Sequence, residues 1–236
     1  MNTDVASAKP KVRARNLILG GLALIVVALF VLHLRWVYSG SAQWELAGER
    51  GGVTLYSRKL PGTGLKRFKA IDRVAASLSS VVAAMRDNDI GPEVGFVDGR
   101  DLEGGTPHLF YTSFHSPMPL MFKTREYVVK NVLTQDPQTK EVLFIVTAAP
   151  DRLPPDPCCV RVTKMDNSWR LTPQENGEVQ IEWAINMDAG GFAPYFLLNQ
   201  AYPDFMYQKF PVMTEIMRRE KYRNVKLDYI KNVGEP

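Results

Sequence analysis

The chain has few of the residues that usually carry metal or nucleophilic chemistry. Among its 236 residues there are two cysteines and three histidines. Cys158 and Cys159 are adjacent, so their Cα atoms lie about 3.8 Å apart, which is shorter than ordinary disulfides accept. No cysteine or histidine cluster has the spacing of a metal site. The sequence therefore predicts no disulfide framework, no metal, no cofactor and no catalytic residue.

The chain also lacks an excess of positive charge outside its N-terminal segment. The net charge is +4, but residues 1–35 hold five basic residues and one acidic residue, which leaves 24 of each sign in the remainder. A nucleic-acid groove needs an excess of basic residues within the domain. The two glycine pairs at 51–52 and 104–105 belong to no phosphate-loop pattern. Nucleic acid is thus excluded as a predicted partner.

One long apolar run lies near the N-terminus. Residues 17–32 are uncharged without interruption, and with Trp36 and Tyr38 as interfacial residues the segment approaches the roughly 20 residues that span a bilayer. Basic residues precede the run, which by the positive-inside rule favours a cytoplasmic N-terminus. The alternative is a cleaved secretory signal, with Gly40-Ser41-Ala42 as its small-residue site.

This pattern predicts three parts. They are a short basic cytoplasmic tail at 1–15, one transmembrane helix at 16–36 and an exported domain at 44–232. The protein would then be a single-pass membrane protein with its C-terminal domain outside the cytoplasm. In a Gram-negative cell the domain would face the periplasm from the inner membrane.

The sequence of the exported part predicts a series of short strands and two helices. Period-two patterns and turn residues predict strands at 53–59, 65–74, 107–115, 125–133, 141–149 and 179–187. "CVRVTKM" and "WRLT" are predicted as two further strands on either side of a bulge or tight turn at Asp166-Asn167. Ser77 is a plausible N-cap for a short amphipathic helix. Short connections between successive strands favour an antiparallel sheet, so the predicted class is α+β.

The most informative stretch is "INMDAGGFAPYFLLNQAYPDFMYQKF", where an alternating strand becomes a segment rich in aromatic and Met side chains. Gly190-Gly191 supplies a backbone bend that bulky residues resist, and Pro194 suits a first helical turn. The segment after it is predicted to be a long last helix. Pro203 and Pro211 are expected to kink this helix or divide it.

Three blocks in this order resemble the START (steroidogenic acute regulatory-related lipid transfer) domain family. The first is "WELAGERGGVTLYSRKL", which resembles the opening strands, and the second is "SPMPLMFKTREYVV", with an Arg-acid-aromatic-Val strand. The third is "WRLTPQENGEVQIEWAINMDAGGFAPYFLLNQ". The residues of this third block that match the family pattern are Trp183, Asp188, Gly191, Pro194, Leu197, Leu198 and Asn199.

The resemblance implies a helix-grip fold, in which a curved antiparallel sheet wraps around a long C-terminal helix and encloses a tunnel for one lipid. The aromatic and Met side chains would then line a ligand cavity, although packing together in an ordinary core is the alternative. The lipid-binding residues that it implies are Phe110, Thr112, Phe114, Asn131, Trp183, Ile185, Met187, Phe196, Asn199, Tyr202 and Met206. Some sterol-binding members carry an acid-base pair in the cavity, and the nearest positions here, Thr112 and Asn131, are uncharged.

Two classes of function follow from this. The first is non-catalytic binding of a lipid, with transfer as an extension, so that the expected partners are a lipid and a membrane. The second is a helix-grip enzyme of the polyketide cyclase or aromatase type, which needs placed acid-base groups in its cavity. A lipid sensor that signals to a protein partner is a third interpretation, and no such partner is identifiable.

Several charged residues are expected to be structural. Asp98, Arg100 and Asp101 are predicted to be solvated loop charges. Arg125 is predicted to be a partly buried structural residue paired with an acid, with a ligand contact as the alternative. His108 and His115 are seven residues apart around one strand, so they should face opposite sides of it.

Overall fold

The computed structural model describes residues 9–119 and 122–234. The chain divides into two compact units. The first comprises the chain up to Ala42 together with Lys59–Gly64, and the second comprises Gln43–Arg58 together with the chain from Leu65 onward.

The first unit is built on one long helix, α1 (Lys9–Tyr38). Its segment Ala14–Tyr38 is long and apolar enough to cross a membrane by length and composition. The C-terminal end of α1 leaves carbonyl groups without helical partners. Lys59 Nζ donates hydrogen bonds to the carbonyls of Val37 (3.1 Å) and Ser39 (2.8 Å). A cation at this end of a helix is favoured by the helix dipole.

Over the residues that the structure describes, the second unit is an α+β domain with eleven strands. They are β1 (Glu45–Arg50), β2 (Val53–Arg58), β3 (Arg67–Val74), β4 (Val97–Leu102), β5 (Leu109–Ser116), β6 (Arg125–Gln135), β7 (Val142–Ala148), β8 (Val160–Arg161), β9 (Lys164–Pro173), β10 (Val179–Ile185) and β11 (Met187–Asp188). The helices are α2 (Leu78–Met85), α3 (Gly91–Val94), α4 (Tyr195–Met217) and α5 (Glu220–Arg223), with short 3-10 turns at Asn88–Ile90 and Pro150–Arg152.

Nine of these strands form a continuous antiparallel path in the order β1-β2-β3-β10-β9-β7-β6-β5-β4. β11 pairs with β9, and β8 runs parallel to β6. The sheet is curved, and α4 packs against its β2 and β3 strands. The predicted α+β helix-grip fold is confirmed.

Helix α4 buries a stripe of residues on the sheet. The buried members are Leu198, Tyr202, Met206, Phe210, Thr214, Ile216 and Met217. Phe210 lies edge-on to Trp169 and Trp183, whose rings stack with centroids 4.6 Å apart. The two prolines do not divide the helix, which runs unbroken over its 23 residues.

Two local predictions are wrong. β9 runs straight through Asp166 and Asn167, because Asn167 sits at an inward position of the alternation and only resembles a turn residue. Asp98, Arg100 and Asp101 lie on β4, an edge strand with a bulge, rather than in a loop. Edge strands commonly carry charges and bulges, which hide their period from sequence analysis.

The adjacent cysteines form a disulfide, which their spacing did not predict. Because Cys158 and Cys159 are neighbours in the chain, this bond joins no separate elements of the sheet. The core instead depends on burial of apolar side chains against α2 and α4.

Arg125 is fully buried at the start of β6, and the predicted acidic partner is wrong. Its Nε donates to the Ala189 carbonyl (2.8 Å) and its Nη2 to the Gly190 carbonyl (2.9 Å). A further bond goes to the carbonyl of Lys123. Gly190 and Gly191 have φ values of +65° and +60°, so the guanidinium holds a left-handed bend that only glycine adopts readily.

Candidate ligand-binding cavity

A partly open cavity of about 230 Å³ lies inside the second unit, lined by strands of the sheet, the end of α2 and one side of α4. Seven of the eleven residues named from the sequence line it. They are Phe110, Thr112, Phe114, Asn131, Trp183, Ile185 and Met187. All seven project from the inner face of β5, β6 and β10–β11, as the period of two requires.

The other four named residues, all on α4, lie outside the cavity wall. Tyr202 and Met206 are buried in the core stripe, and the Tyr202 hydroxyl donates to the Met187 carbonyl at 3.3 Å. The Asn199 side-chain oxygen accepts a 2.8 Å hydrogen bond from the backbone of Lys66, just before β3. Phe196 is 65% exposed.

A different side of α4 faces the cavity, through Phe205 and Met213. These residues are eight positions apart and therefore lie on one face of the helix. Lys209 lies between them and donates to the carbonyl of Glu93 at 2.9 Å. Lys209 interrupts the apolar periodicity of this face, and neither Phe205 nor Met213 was predicted from the sequence to be a lipid-binding residue.

Most of the wall is aromatic or aliphatic. Phe114 stacks on Tyr127 with centroids 4.7 Å apart, and Phe110 stacks on Phe144 at 5.9 Å. Burial raises the pKa of Tyr127 to about 12, so its hydroxyl is neutral at physiological pH. The aromatic wall thus offers an uncharged, weakly polar surface.

Uncharged polar groups occur at the middle of the sheet. Asn131 donates a 2.9 Å hydrogen bond through Nδ2 to Thr112 Oγ1, and Asn167 lines the wall from β9. Asn131 is only 4% exposed. A pair of this kind can hydrogen-bond a ligand but cannot neutralise a charged group.

A charged pair, missed by sequence analysis, lies at one edge of the wall. Arg86, the C-cap residue of α2, lies with Nη2 4.0 Å from Asp101 Oδ2 on β4. The guanidinium also stacks over the ring of Phe110 at 4.1 Å and donates to the Tyr229 hydroxyl at 3.1 Å. An arginine at a helix end usually points to solvent, so nothing in the sequence marks it as a cavity residue.

Comparison with known proteins identifies the fold of the second unit. No family model matches the chain. An uncharacterized protein of Pseudomonas aeruginosa is 23% identical over 163 residues, which is 66% of this chain and 77% of that protein. The structure is similar to that of a STAR-related lipid transfer protein from Xanthomonas axonopodis, with a TM-score of 0.69 and 22% identity over 75% of this chain and 99% of that one. The chain has the START fold.

Two human proteins show the same likeness. StAR-related lipid transfer protein 5 has a TM-score of 0.64 and 16% identity, covering 83% of this chain and 96% of its own. STARD10 has a TM-score of 0.68 and 13% identity, covering 80% and 78%.

The START-like residues that follow β10, from Asp188 to Tyr195, form a bend in the backbone. Asp188 Oδ1 accepts from the Gly190 backbone N–H at 3.0 Å, and Asp188 Oδ2 accepts from the Tyr195 hydroxyl at 2.8 Å. Together with Arg125, these bonds connect the last strand to the first turn of α4. The START-like residues Asp188 and Gly190 therefore have a structural role in this bend.

Proposed function

We propose that the domain binds one lipid molecule in this cavity, and that it does so without catalysing a reaction. The observation that carries the proposal is a partly open, mainly apolar cavity inside a START fold. Apolar cavities with a few placed polar groups are typical of sites for hydrophobic ligands. The seven cavity-lining residues named from the sequence are the proposed contacts.

The cavity volume of about 230 Å³ is slightly below the roughly 300–1,000 Å³ of ordinary ligand sites. A bound lipid must therefore displace wall side chains. Met85, Met187 and Met213 all line the cavity, and Met side chains adapt readily to irregular shapes. Phe205, which is 37% exposed on α4, is the proposed movable part of the wall.

The ionisable groups favour binding over catalysis. A cyclase needs an acid or base within reach of its substrate. Arg86 and Asp101 lie at one edge of the wall and face each other, and Tyr127 stays neutral. This arrangement supports recognition of a polar end of the lipid more than proton transfer in the middle of the cavity.

Membrane association is the second part of the proposal. Helix α1 would anchor the protein through residues 16–36, with the basic tail 1–15 in the cytoplasm and the domain 44–232 exported. Phe192 is 85% exposed and Phe196 65% exposed next to the bend. Exposed aromatic side chains of this kind suit contact with a lipid surface. A C-terminal reporter that is active only in the cytoplasm would contradict the orientation.

Native mass spectrometry of residues 43–236, purified without detergent, tests the binding proposal. The expected spectrum shows the protein carrying one additional lipid mass, which organic extraction removes and identifies. Purified protein that remains ligand-free, both as isolated and after incubation with vesicles of bacterial lipid extract, would contradict the proposal.

A further inference from the structure

A second cluster of functional groups lies on the opposite side of β5 from the cavity. Phe114 and Ser116 line the cavity, so His115 between them faces the other way. There it meets Asp156, Cys158 and Cys159, which belong to the proline-rich loop before β8. One ligand atom from each of these four residues lies within 4.8 Å of the others.

His115 is half-buried, and its two ring nitrogens are buried without hydrogen bonds. Neither Nδ1 nor Nε2 has a hydrogen-bond partner, and both atoms are withheld from solvent. Nε2 lies 3.9 Å from Asp156 Oδ2, and Nδ1 lies 3.4 Å from Asp98 Oδ2. Buried polar atoms of native proteins are normally paired, so an unpaired imidazole calls for an explanation such as a bound ion.

We propose that His115, Asp156, Cys158 and Cys159 bind one zinc ion when the Cys158–Cys159 disulfide is reduced. Two thiolates, one imidazole and one carboxylate form a donor set that zinc binds with tetrahedral geometry. Metal–ligand distances of about 2.0–2.3 Å place tetrahedral ligand atoms roughly 3.3–3.8 Å apart. The most distant ligand atoms need to approach by only about 1 Å, whereas the two sulfurs must separate to about 3.8 Å once the bond between them is broken. The loop that carries three of the four residues can supply both movements.

The surrounding charges prepare His115 for this role. Asp98 is set opposite Nδ1 by the bulge in β4, so a carboxylate faces one ring nitrogen while the other faces the site. A small rotation of the ring would let Nδ1–H donate to this carboxylate, and a hydrogen bond of that kind usually orients metal-binding histidines. Glu126, the register partner of His115 on β6, is paired instead with Arg161 at 2.6 Å and accepts from the Asp156 backbone N–H.

The disulfide would make metal binding depend on redox state. A dithiol reductant breaks the S–S bond, transfers two electrons and two protons to the cysteine sulfurs, and itself becomes a disulfide. The two thiols then release their protons as they bind Zn²⁺. In the oxidised form the sulfurs are bonded to each other and are poor ligands, so the site is closed.

Titration of the full-length protein in detergent with Zn²⁺ and Co²⁺ tests this proposal. A water-soluble phosphine serves as reductant, because dithiols themselves bind zinc; it breaks the S–S bond, takes its oxygen from water and leaves two thiols. The reduced protein should bind one equivalent of Zn²⁺ in competition with a chromophoric chelator. With Co²⁺ it should show thiolate-to-cobalt charge-transfer absorption, and the oxidised protein should show neither.

Variants distinguish zinc binding by all four residues from zinc binding by the two thiols alone. Cys158→Ser, Cys159→Ser and His115→Gln should each weaken Zn²⁺ affinity by at least about tenfold, a loss seen even when a residue that supports a ligand is removed. His108→Gln is the matched control, since His108 packs against Tyr229 away from the cluster and should leave the affinity unchanged.

Two results would overturn the zinc proposal, and the first of them does not depend on the folding of any variant. Absence of the charge-transfer band in the reduced wild-type protein would overturn the proposal. So would a folded His115→Gln protein, checked by circular dichroism, with the same Zn²⁺ affinity as wild type. Neither result bears on lipid binding, because the cluster and the cavity lie on opposite faces of β5.

Discussion

The Arg125 guanidinium donates a 2.9 Å hydrogen bond to the carbonyl of Gly190, 65 residues further along the chain. A second bond of 2.8 Å reaches the Ala189 carbonyl. Through these bonds β6, which forms part of the cavity wall, fixes the bend that precedes α4. One buried side chain thus connects the sheet to the helix that it grips.

Replacing Arg125 with Met should destabilise the domain strongly. Hydrogen bonds to charged groups contribute about 1.5–3 kcal/mol each, so loss of the two bonds predicts a decrease of at least about 3 kcal/mol in the free energy of unfolding. Urea denaturation measures this change. Arg170→Met is the control, because Arg170 forms a partly exposed ion pair with Glu141 and should cost about 0–1 kcal/mol. Equal effects of the two substitutions would show that Arg125 does not hold the bend.

Gly191→Ala should be more costly than Gly177→Ala. Both glycines have positive φ, so an added Cβ strains either position by about 1–2 kcal/mol. At Gly191 the Cβ would also come within 3.3 Å of both Val160 methyl groups, whereas at Gly177 it meets nothing within 4 Å. Thermal unfolding of both variants gives the comparison. A Gly191 variant as stable as the Gly177 variant would mean that the bend tolerates the closer packing.

Acid should destabilise the domain through Glu126. Its hydrogen bond with Arg161 holds the pKa of the Glu126 carboxyl below its ordinary value of about 4.3. A depressed pKa contributes stability that is present above the ordinary pKa and is lost as pH falls through the lower, folded-state value. The expected loss therefore begins below about pH 4.3 and continues downward.

Glu126→Gln tests that source of stability. Both side chains of the pair are 8% exposed, so breaking it should cost about 3 kcal/mol at pH 7 and flatten the acid limb of the stability curve. Glu141→Gln, at the exposed pair, should change little. If the unfolding free energy of Glu126→Gln falls at low pH as steeply as that of the wild type, other carboxylates cause the acid sensitivity.

The fold was predictable because the sequence patterns of its strands, turns and long helix involve residues that are close together in the chain. The alternation over β10 predicted that strand, and the Gly190-Gly191 bend followed by Pro194 predicted the long helix α4. Parity then placed Trp183, Ile185 and Met187 on the cavity side. The α4 residues were misplaced relative to the cavity because helix periodicity identifies a buried face but not what that face packs against.

The parts that sequence reasoning missed depend on contacts between distant segments. Arg86 reaches the cavity edge by stacking on Phe110, and Arg125 finds backbone carbonyls rather than an acid. The His115 cluster joins β5 to a loop about 40 residues away. The spacing of residues in the sequence does not reveal contacts between segments that are far apart in the chain.

Sterols should have no advantage over other lipids. Thr112 and Asn131 hydrogen-bond each other at 2.9 Å and offer no ion pair in the middle of the cavity. Competition between labelled cholesterol, fatty acid and phospholipid for residues 43–236 measures the preference. Displacement of the other lipids by stoichiometric cholesterol would contradict this expectation.

The central claim is that the cavity, and not merely an apolar core, is the binding site. Met187 lines the cavity, whereas Met206 is fully buried in the core stripe of α4. A Trp at position 206 should overpack the core and lower stability by about 1–3 kcal/mol. It therefore serves as the control for a Trp of the same size placed in the cavity.

The most direct test measures lipid occupancy and thermal unfolding on the same samples of Met187→Trp, Met206→Trp and wild-type protein. The account predicts that Met187→Trp loses its bound lipid while its ligand-free unfolding temperature stays near that of ligand-free wild type. If Met187→Trp instead melts lower and keeps wild-type lipid occupancy, the side chain belongs to a packed core and the cavity is not the binding site.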